Sequence, residues 1–166
     1  LYKTFVSQGG IHAPLIVSWP GRVDSGGQTR AFATVLDIAP TIMEAAGVSP
    51  ETFMDADGEF EPMSGKSMLP YLDGKSAAIY EEWDGQAFEL FGNQAHIAGD
   101  WKIQRIREPS GDGKWKLYNL AKDPNETLDV SAQNPEVMAK MMKIHQKYLD
   151  DNKVILPPDD YEMFGS

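Results

Sequence analysis

The chain changes its hydrophobic pattern near residue 120, and this change restricts the folds open to its second half. Ahead of it, four short apolar runs alternate with polar turns such as Ala98-Gly99-Asp100, a pattern typical of an antiparallel sheet. Beyond it, Asn134 and Pro135 open a stretch over 134–152 with apolar residues at helical spacing, which predicts an amphipathic helix across one face of that sheet. The strand-like runs cover 78–83, 93–98, 101–106 and 114–120, and the apolar stripe of the helix consists of Val137, Met141, Ile144 and Tyr148.

The first half of the chain has the pattern of an α/β layer. A nearly continuous apolar run over 14–19 predicts a buried strand. Residues 32–47 predict a strand or loop that leads into a helix, with Asp37 as its cap and Gly47 as its end. A strand followed by a helix is the repeating unit of α/β folds.

The predicted fold class is therefore α/β, with an α+β C-terminal subdomain. A sheet strand and a helix of a large α/β domain come first, and a small antiparallel sheet covered by a long C-terminal helix follows. The predicted limits are 1–50 for the end of the large domain, 51–65 for a Pro-, Gly- and acid-rich connection, and 66–166 for the small C-terminal subdomain with its helix at 134–152.

Composition narrows the possible partners. The 166 residues carry a formal net charge of −10, all of it beyond residue 50, so the segment lacks the basic face that nucleic-acid binding needs. No apolar run approaches the roughly 18 residues of a membrane helix, so we expect no membrane partner. The absence of cysteine excludes disulfides and thiolate zinc sites within this sequence. The compartment stays open between the bacterial cytoplasm and periplasm.

Lys3 is the first candidate for chemistry. It precedes Gly9-Gly10 and the apolar run over 14–19, so it could project from a loop at the edge of a strand. An ammonium group there can bind a sulfate or phosphate oxygen as a point charge. The alternative is a solvated lysine without function. Because the chain begins in mid-element without a methionine, we expect it to be the tail of a longer protein.

Four blocks in order over roughly 1–131 resemble the sulfatase family of the alkaline-phosphatase superfamily, in the style of its bacterial arylsulfatase branch. The first block places a lysine ahead of a Gly-Gly-Ile stretch and a Trp-Pro-Gly turn. The others resemble the Asp-hydrophobic-x-Pro-Thr helix, the Gly-Asp-Trp-Lys turn and the Asp-Pro-x-Glu signature of the family. The blocks read LYKTFVSQGGIHAPLIVSWPG, AFATVLDIAPTIMEAAGV, FELFGNQAHIAGDWKIQ and LYNLAKDPNETLDVS.

This resemblance implies an enzyme that hydrolyses sulfate esters. In the family, a formylglycine made from a Cys or Ser in a Cys/Ser-x-Pro-x-Arg motif is the nucleophile, and Asp and Asn side chains hold a calcium ion. The lysine before the double glycine contacts the substrate sulfate, which assigns substrate binding and catalysis to Lys3 and places 1–50 in the catalytic domain. The resemblance places the nucleophile and the calcium ligands outside this segment, which supplies no metal ligand. The expected partners are a small sulfate ester or a sulfated glycan, and the missing N-terminal part of the same protein.

The first block contains a second motif match and one departure from the family pattern. Ser18 and Arg22 match Ser-x-Pro-x-Arg, but Ser18 ends a predicted strand, whereas the family nucleophile begins a helix, so we do not expect it to be the nucleophile. His12 occupies the position where the family usually has Arg. It could bind an anion when protonated, or it could brace the loop.

The remaining polar candidates favour packing or solvation. His96 and His145 have no third ligand at metal-binding spacing, so we expect packing or surface positions. Glu81, Glu82 and Asp84 surround Trp83, and neighbouring strand residues point to opposite faces, which favours a solvated rim. The segment 81–91 could alternatively line the substrate entrance.

Two other functions remain open at this point. Relatives in the same superfamily hydrolyse phosphate or phosphonate esters with a similar metal site, and sulfate and phosphate differ mainly in charge. A non-catalytic interaction module is the third possibility, in which the acidic surface would meet a partner. We expect this segment alone to be inactive.

Overall fold

The computed structural model divides the chain into two compact units. The larger unit joins the start of the chain to its second half, and the smaller unit is continuous. The predicted domain limits at 1–50, 51–65 and 66–166 stay a prediction. The described residues are 4–48, 63–158 and 161; the larger unit comprises residues 1–14 and 82–166, and the smaller unit comprises residues 15–81.

The larger unit is built on a four-stranded antiparallel sheet in the order β1-β2-β3-β4. The predicted strands over 93–98, 101–106 and 114–120 are confirmed to within a residue at each end. The predicted strand over 78–83 is wrong, because that segment is irregular and the first strand begins at Gly85. The strands are β1 (Gly85–Leu90), β2 (Asn93–Ala98), β3 (Trp101–Arg105) and β4 (Trp115–Asn119).

Tight turns set the register of the first two hairpins. Leu90 pairs with Asn93, and the two residues between them, Phe91 and Gly92, both have positive φ (53° and 78°). Two consecutive positive φ angles define a type I′ turn, whose twist matches that of the flanking strands. In the next turn Gly99 has φ 54°, and a Cβ there would lie 2.5 Å from the carbonyl oxygen of Glu82, so only glycine fits.

A long helix, α4 (Pro135–Asp151), covers one face of the sheet, as predicted. A short 3₁₀ helix (Ser131–Gln133) leads into it. The apolar core between helix and sheet is fully buried and consists of Ala98, Ile103, Leu117 and Met141, with three tryptophans around it. In the described part of the chain, no helix is both long enough and apolar enough to cross a bilayer.

The opposite face of the sheet is covered by the start of the chain. Val6 is buried to 1% exposure against Ala95 and Ile106, and a single helical turn, α1 (Gln8–Ile11), follows it. Because both faces are covered, every residue of β2 is buried. Val6 therefore belongs to the core of this sheet, with Phe5 packed against it.

The smaller unit contains a 3₁₀ turn (Val35–Asp37) that continues into α2 (Ile38–Ala45), and a short helix α3 (Leu69–Leu72). The helix ends at Ala45, and Gly47 follows two residues later with φ 68°, in the role of terminator that was expected for it. The predicted strand over 14–19 is wrong for this structure. That segment is irregular, and Ile16 is 90% exposed, because within the described residues no strand pairs with it to complete a ladder.

Candidate functional site

The backbone directly after Lys3 is strained. Lys3 itself lies outside the described residues, so its role stays a prediction. Thr4, the next residue, has φ 85°. A positive φ is a rare conformation for a β-branched residue and costs about 1–3 kcal/mol, so it persists only where the surrounding structure imposes it.

A buried ion pair holds the backbone at residues 6 and 8, shortly after Thr4 in the sequence. The ammonium of Lys102 on β3 donates to the carbonyl oxygen of Val6 (2.7 Å) and also to the carboxylate of Glu126. The second oxygen of Glu126 accepts the backbone N–H of Gln8 at 2.8 Å. One lysine and one glutamate thus fix both ends of the tripeptide that precedes the double glycine.

The pair is withdrawn from water, which decides its electrostatics. The side chains of Lys102 and Glu126 are 0% and 5% exposed. Burial lowers the pKa of Lys102, and the negative charge of Glu126 and its hydrogen bond oppose that shift. Each charge therefore depends on the other, because a single buried charge carries a desolvation cost of several kcal/mol. Glu126 also adopts a positive φ of 57° to reach the pair.

The sequence patterns did not predict this pair, although each residue ends one of the motifs that carry the family resemblance. Lys102 is the last residue of Gly-Asp-Trp-Lys, and Glu126 is the last residue of Asp-Pro-Asn-Glu. Asp123, the first residue of the second motif, accepts the backbone N–H groups of Thr127 (2.7 Å) and Leu128 (2.9 Å), which lowers its pKa. Three of the four blocks therefore meet at one point, between β3, the turn after β4 and residues 6–8.

A polar cavity of about 440 Å³ lies beside the ion pair. Ser7 and Gln104 line it, and each has a buried side-chain oxygen with no hydrogen-bond partner among the described residues. Lys116 also lines the cavity and pairs with Asp112 at 3.1 Å. The two free oxygens can accept hydrogen bonds from a hydroxyl-bearing ligand or from water.

The three histidines occupy different environments. His12 is exposed, and its backbone N–H donates to the carbonyl oxygen of Gln8. The binding of an anion by its side chain stays a prediction. His96 on β2 and His145 on α4 are both buried, and their rings meet edge to face, as predicted for packing residues. Burial lowers the pKa of each to about 4. Among the described residues, no group of three or more His, Asp or Glu side chains could hold a metal ion.

The Ser-x-Pro-x-Arg match at 18–22 has a structural role in the smaller unit. Arg22 forms a bidentate pair with Asp73 (2.7 and 2.8 Å), and its guanidinium lies 4.5 Å from the centre of the Trp19 ring. Ser18 is exposed in the irregular segment and does not begin a helix. That Ser18 is not the nucleophile stays a prediction.

Asp37 has a larger role than the predicted helix cap. Its fully buried carboxylate accepts the backbone N–H groups of Thr34 (2.6 Å) and Lys66 (2.7 Å) and the hydroxyl of Tyr80 (2.5 Å). Its own carbonyl oxygen accepts the hydroxyl of Thr41 at 2.5 Å. The Asp-hydrophobic-x-Pro-Thr motif therefore joins α2 to the segments at residues 66 and 80 within the smaller unit.

The acidic cluster lies on the surface. Glu81 and Glu82 are exposed and Asp84 is half-buried, in an irregular segment ahead of β1. This is the arrangement of a solvated rim. The alternative role of 81–91 at a substrate entrance stays a prediction.

Comparison with known proteins identifies the family. Residues 1–153 match the family model described as N-sulphoglucosamine sulphohydrolase, C-terminal. An uncharacterized sulfatase of Schizosaccharomyces pombe is 27% identical over 97% of this chain, and arylsulfatase K of Danio rerio is 28% identical over 90% of it. The chain spans only 29% and 28% of the length of these two relatives.

A solved structure shares the fold. It is described as a complex with its substrate D-glucosamine-2-N,6-O-disulfate, and it superposes with a TM-score of 0.60 at 18% identity. The superposition covers 87% of this chain and 29% of the other. At this identity the likeness concerns the fold alone.

Proposed function

The chain belongs to the family of N-sulphoglucosamine sulphohydrolase C-terminal domains, and from that premise we propose that it is the C-terminal part of a sulfatase acting on sulfated glycans. The family match over residues 1–153 is the observation that carries the proposal. The relatives named as sulfatases support the reaction class, and the description of the matching family as N-sulphoglucosamine sulphohydrolase supports a sulfated sugar as the substrate.

Lys3 is the residue of this chain that we propose to bind the sulfate. Its ammonium would neutralise charge on the ester oxygens and on the leaving-group side as the S–O bond breaks. We propose that the calcium ion and the formylglycine nucleophile implied by the family resemblance are supplied by polypeptide outside this chain.

The exposed apolar run in the smaller unit supports a longer protein. Leu15, Ile16 and Val17 are 50%, 90% and 38% exposed, although consecutive aliphatic side chains of this kind are ordinarily buried in a strand. We propose that the preceding polypeptide covers this run and adds the strand pairing that the described residues do not supply.

The test is Lys3→Ala in the full-length protein, assayed with matched sulfate and phosphate esters of one sugar. We expect kcat/KM for the sulfate ester to fall by about 10²–10³-fold, the range for losing one transition-state charge contact. Lys122→Ala is the control, since Lys122 is an exposed lysine on the turn after β4, and it should leave the rate unchanged. An unchanged rate in Lys3→Ala, or a preference for the phosphate ester, would contradict the proposal.

A further inference from the structure

We propose that Lys102 and Glu126 are positioning residues for Lys3, which hold the backbone after it in the conformation that sulfate binding requires. The inference rests on the sulfatase function proposed above. Neither residue needs to touch the substrate for this role. Both act through the main chain of residues 6–8.

The first support is the number of constraints placed on a short segment. Within three residues, the side chain of Val6 is buried against the sheet, its carbonyl oxygen accepts the Lys102 ammonium, and the Gln8 N–H is held by Glu126. Lys3 precedes Val6 by three residues in the sequence, so the anchored backbone begins close to it along the chain.

The second support is the strain at Thr4. A β-branched residue with φ 85° is strained, and Thr4 lies in the sequence between Lys3 and the anchor. Such outliers persist where neighbouring contacts over-determine them, and they concentrate at functional sites. The anchor at residues 6–8 is the described contact that can impose this conformation.

The third support is the choice of charged residues. Met and Leu of similar volume would fill the same space, and such replacements of buried ion pairs are often neutral for stability. They would not supply a donor to the Val6 carbonyl or an acceptor for the Gln8 N–H. The ion pair therefore provides direction for the backbone that an apolar pair cannot provide.

A double-mutant cycle in the full-length protein tests this role. The perturbation is the apolar replacement Lys102→Met/Glu126→Leu, made in the native background and again with Lys3→Ala. We expect kcat/KM to fall by about 10- to 100-fold in the native background, the scale of a misplacement of roughly 1 Å. In the Lys3→Ala background the same replacement should change kcat/KM by less than about twofold, because the group being positioned is already gone.

A merely structural role gives a different result. If the replacement lowers kcat/KM by the same factor in both backgrounds, the positioning role is overturned while the function of Lys3 stands. If Lys3→Ala alone has no effect, the proposed function fails instead. A second variant, Glu126→Gln, removes the charge but keeps an acceptor for the Gln8 N–H. It is tested in the same two backgrounds with the same criteria. The result then does not depend on whether the double replacement folds well.

A matched control separates this pair from ion pairs in general. Lys147 and Asp151 form a pair at 2.5 Å on α4, with side chains 74% and 57% exposed. Lys147→Met should leave kcat/KM unchanged in both backgrounds. A loss of activity there would show that the assay responds to charge removal anywhere on the unit, and it would overturn the assignment.

Discussion

The buried histidines under α4 should make the larger unit lose stability in mild acid. Burial lowers the pKa of His96 and of His145 from 6.5 to about 4. The neighbouring His145 adds to the lowering of the His96 pKa, and the negative charge of Asp84 partly opposes it. The Nε2 of His145 lies 3.0 Å from the side-chain oxygen of Gln94, and the Nδ1 atoms of both rings have no partner among the described residues. A second proton on either ring would therefore add a donor without an acceptor.

The magnitude follows from linkage between protonation and folding. With a pKa of about 6.5 when unfolded and about 4 when folded, the unfolded chain binds more protons between these two values, so stability falls as the pH decreases. Between pH 7 and pH 5 each histidine should cost about 1.8 kcal/mol of unfolding free energy, or about 3.6 kcal/mol together. The carboxylates with lowered pKa, such as Asp112 and Asp129, titrate below this window.

Urea unfolding followed by tryptophan fluorescence at pH 7 and pH 5 measures the effect. His96→Asn/His145→Gln should unfold with nearly the same free energy at both pH values, because neither replacement titrates. His12→Gln is the control, since His12 is exposed, and it should retain the full pH dependence. If the native protein is equally stable at both pH values, or if the double variant keeps the dependence, the argument from burial is refuted.

Two other buried charges give predictions of stability. Lys102→Met should lower the unfolding free energy by about 3–5 kcal/mol in urea titrations, because it leaves the buried Glu126 without its partner. The control Lys147→Met, at an exposed pair, should cost less than about 1 kcal/mol. Equal costs for the two variants would show that burial does not strengthen the dependence of Glu126 on Lys102. Asp37→Asn should lower the unfolding free energy by about 1–3 kcal/mol, because the new amide group would face backbone N–H donors. The control Asp24→Asn, at an exposed position, should be nearly neutral in the same titration. A neutral Asp37→Asn would show that the N–H groups of Thr34 and Lys66 and the hydroxyl of Tyr80 bind water instead.

Local patterns were enough to predict the elements whose partners lie close by in sequence. The strands at 93–98 and 101–106 face each other across a two-residue turn, and α4 carries its own apolar stripe. The strand expected over 14–19 failed for the opposite reason. An apolar run forms a strand only when a neighbouring backbone completes its hydrogen bonds, and the described residues contain no such neighbour.

The first strand was missed because its sequence carries a weak signal. Gly85–Leu90 reads GQAFEL, in which polar and apolar residues do not alternate cleanly. Gly85 is required there by contact, since a Cβ would lie 1.7 Å from the carbonyl oxygen of Ile97. A glycine ordinarily lowers the expectation of a strand, so this close approach could not be inferred from one sequence.

The pair of Lys102 and Glu126 was not predicted, because the two residues are distant in sequence. A lysine within a strand, such as Lys102, ordinarily suggests an exposed side chain, and nothing local indicates that residue 126 neutralises it. The residues were nevertheless present in the motifs on which the family resemblance depends. For Lys102, Glu126 and Asp37, the motifs mark contacts that join segments distant in sequence.

The placement of residues 4–11 has a consequence for the design of truncated forms of this protein. A recombinant fragment that starts after residue 14 would retain all four strands and α4, yet its sheet would present Ala95 and Ile106 to solvent and leave the Lys102 ammonium without its carbonyl acceptor. Such a fragment should aggregate or require detergent. Supplying the opening peptide in trans should restore its solubility, in the manner of a split protein.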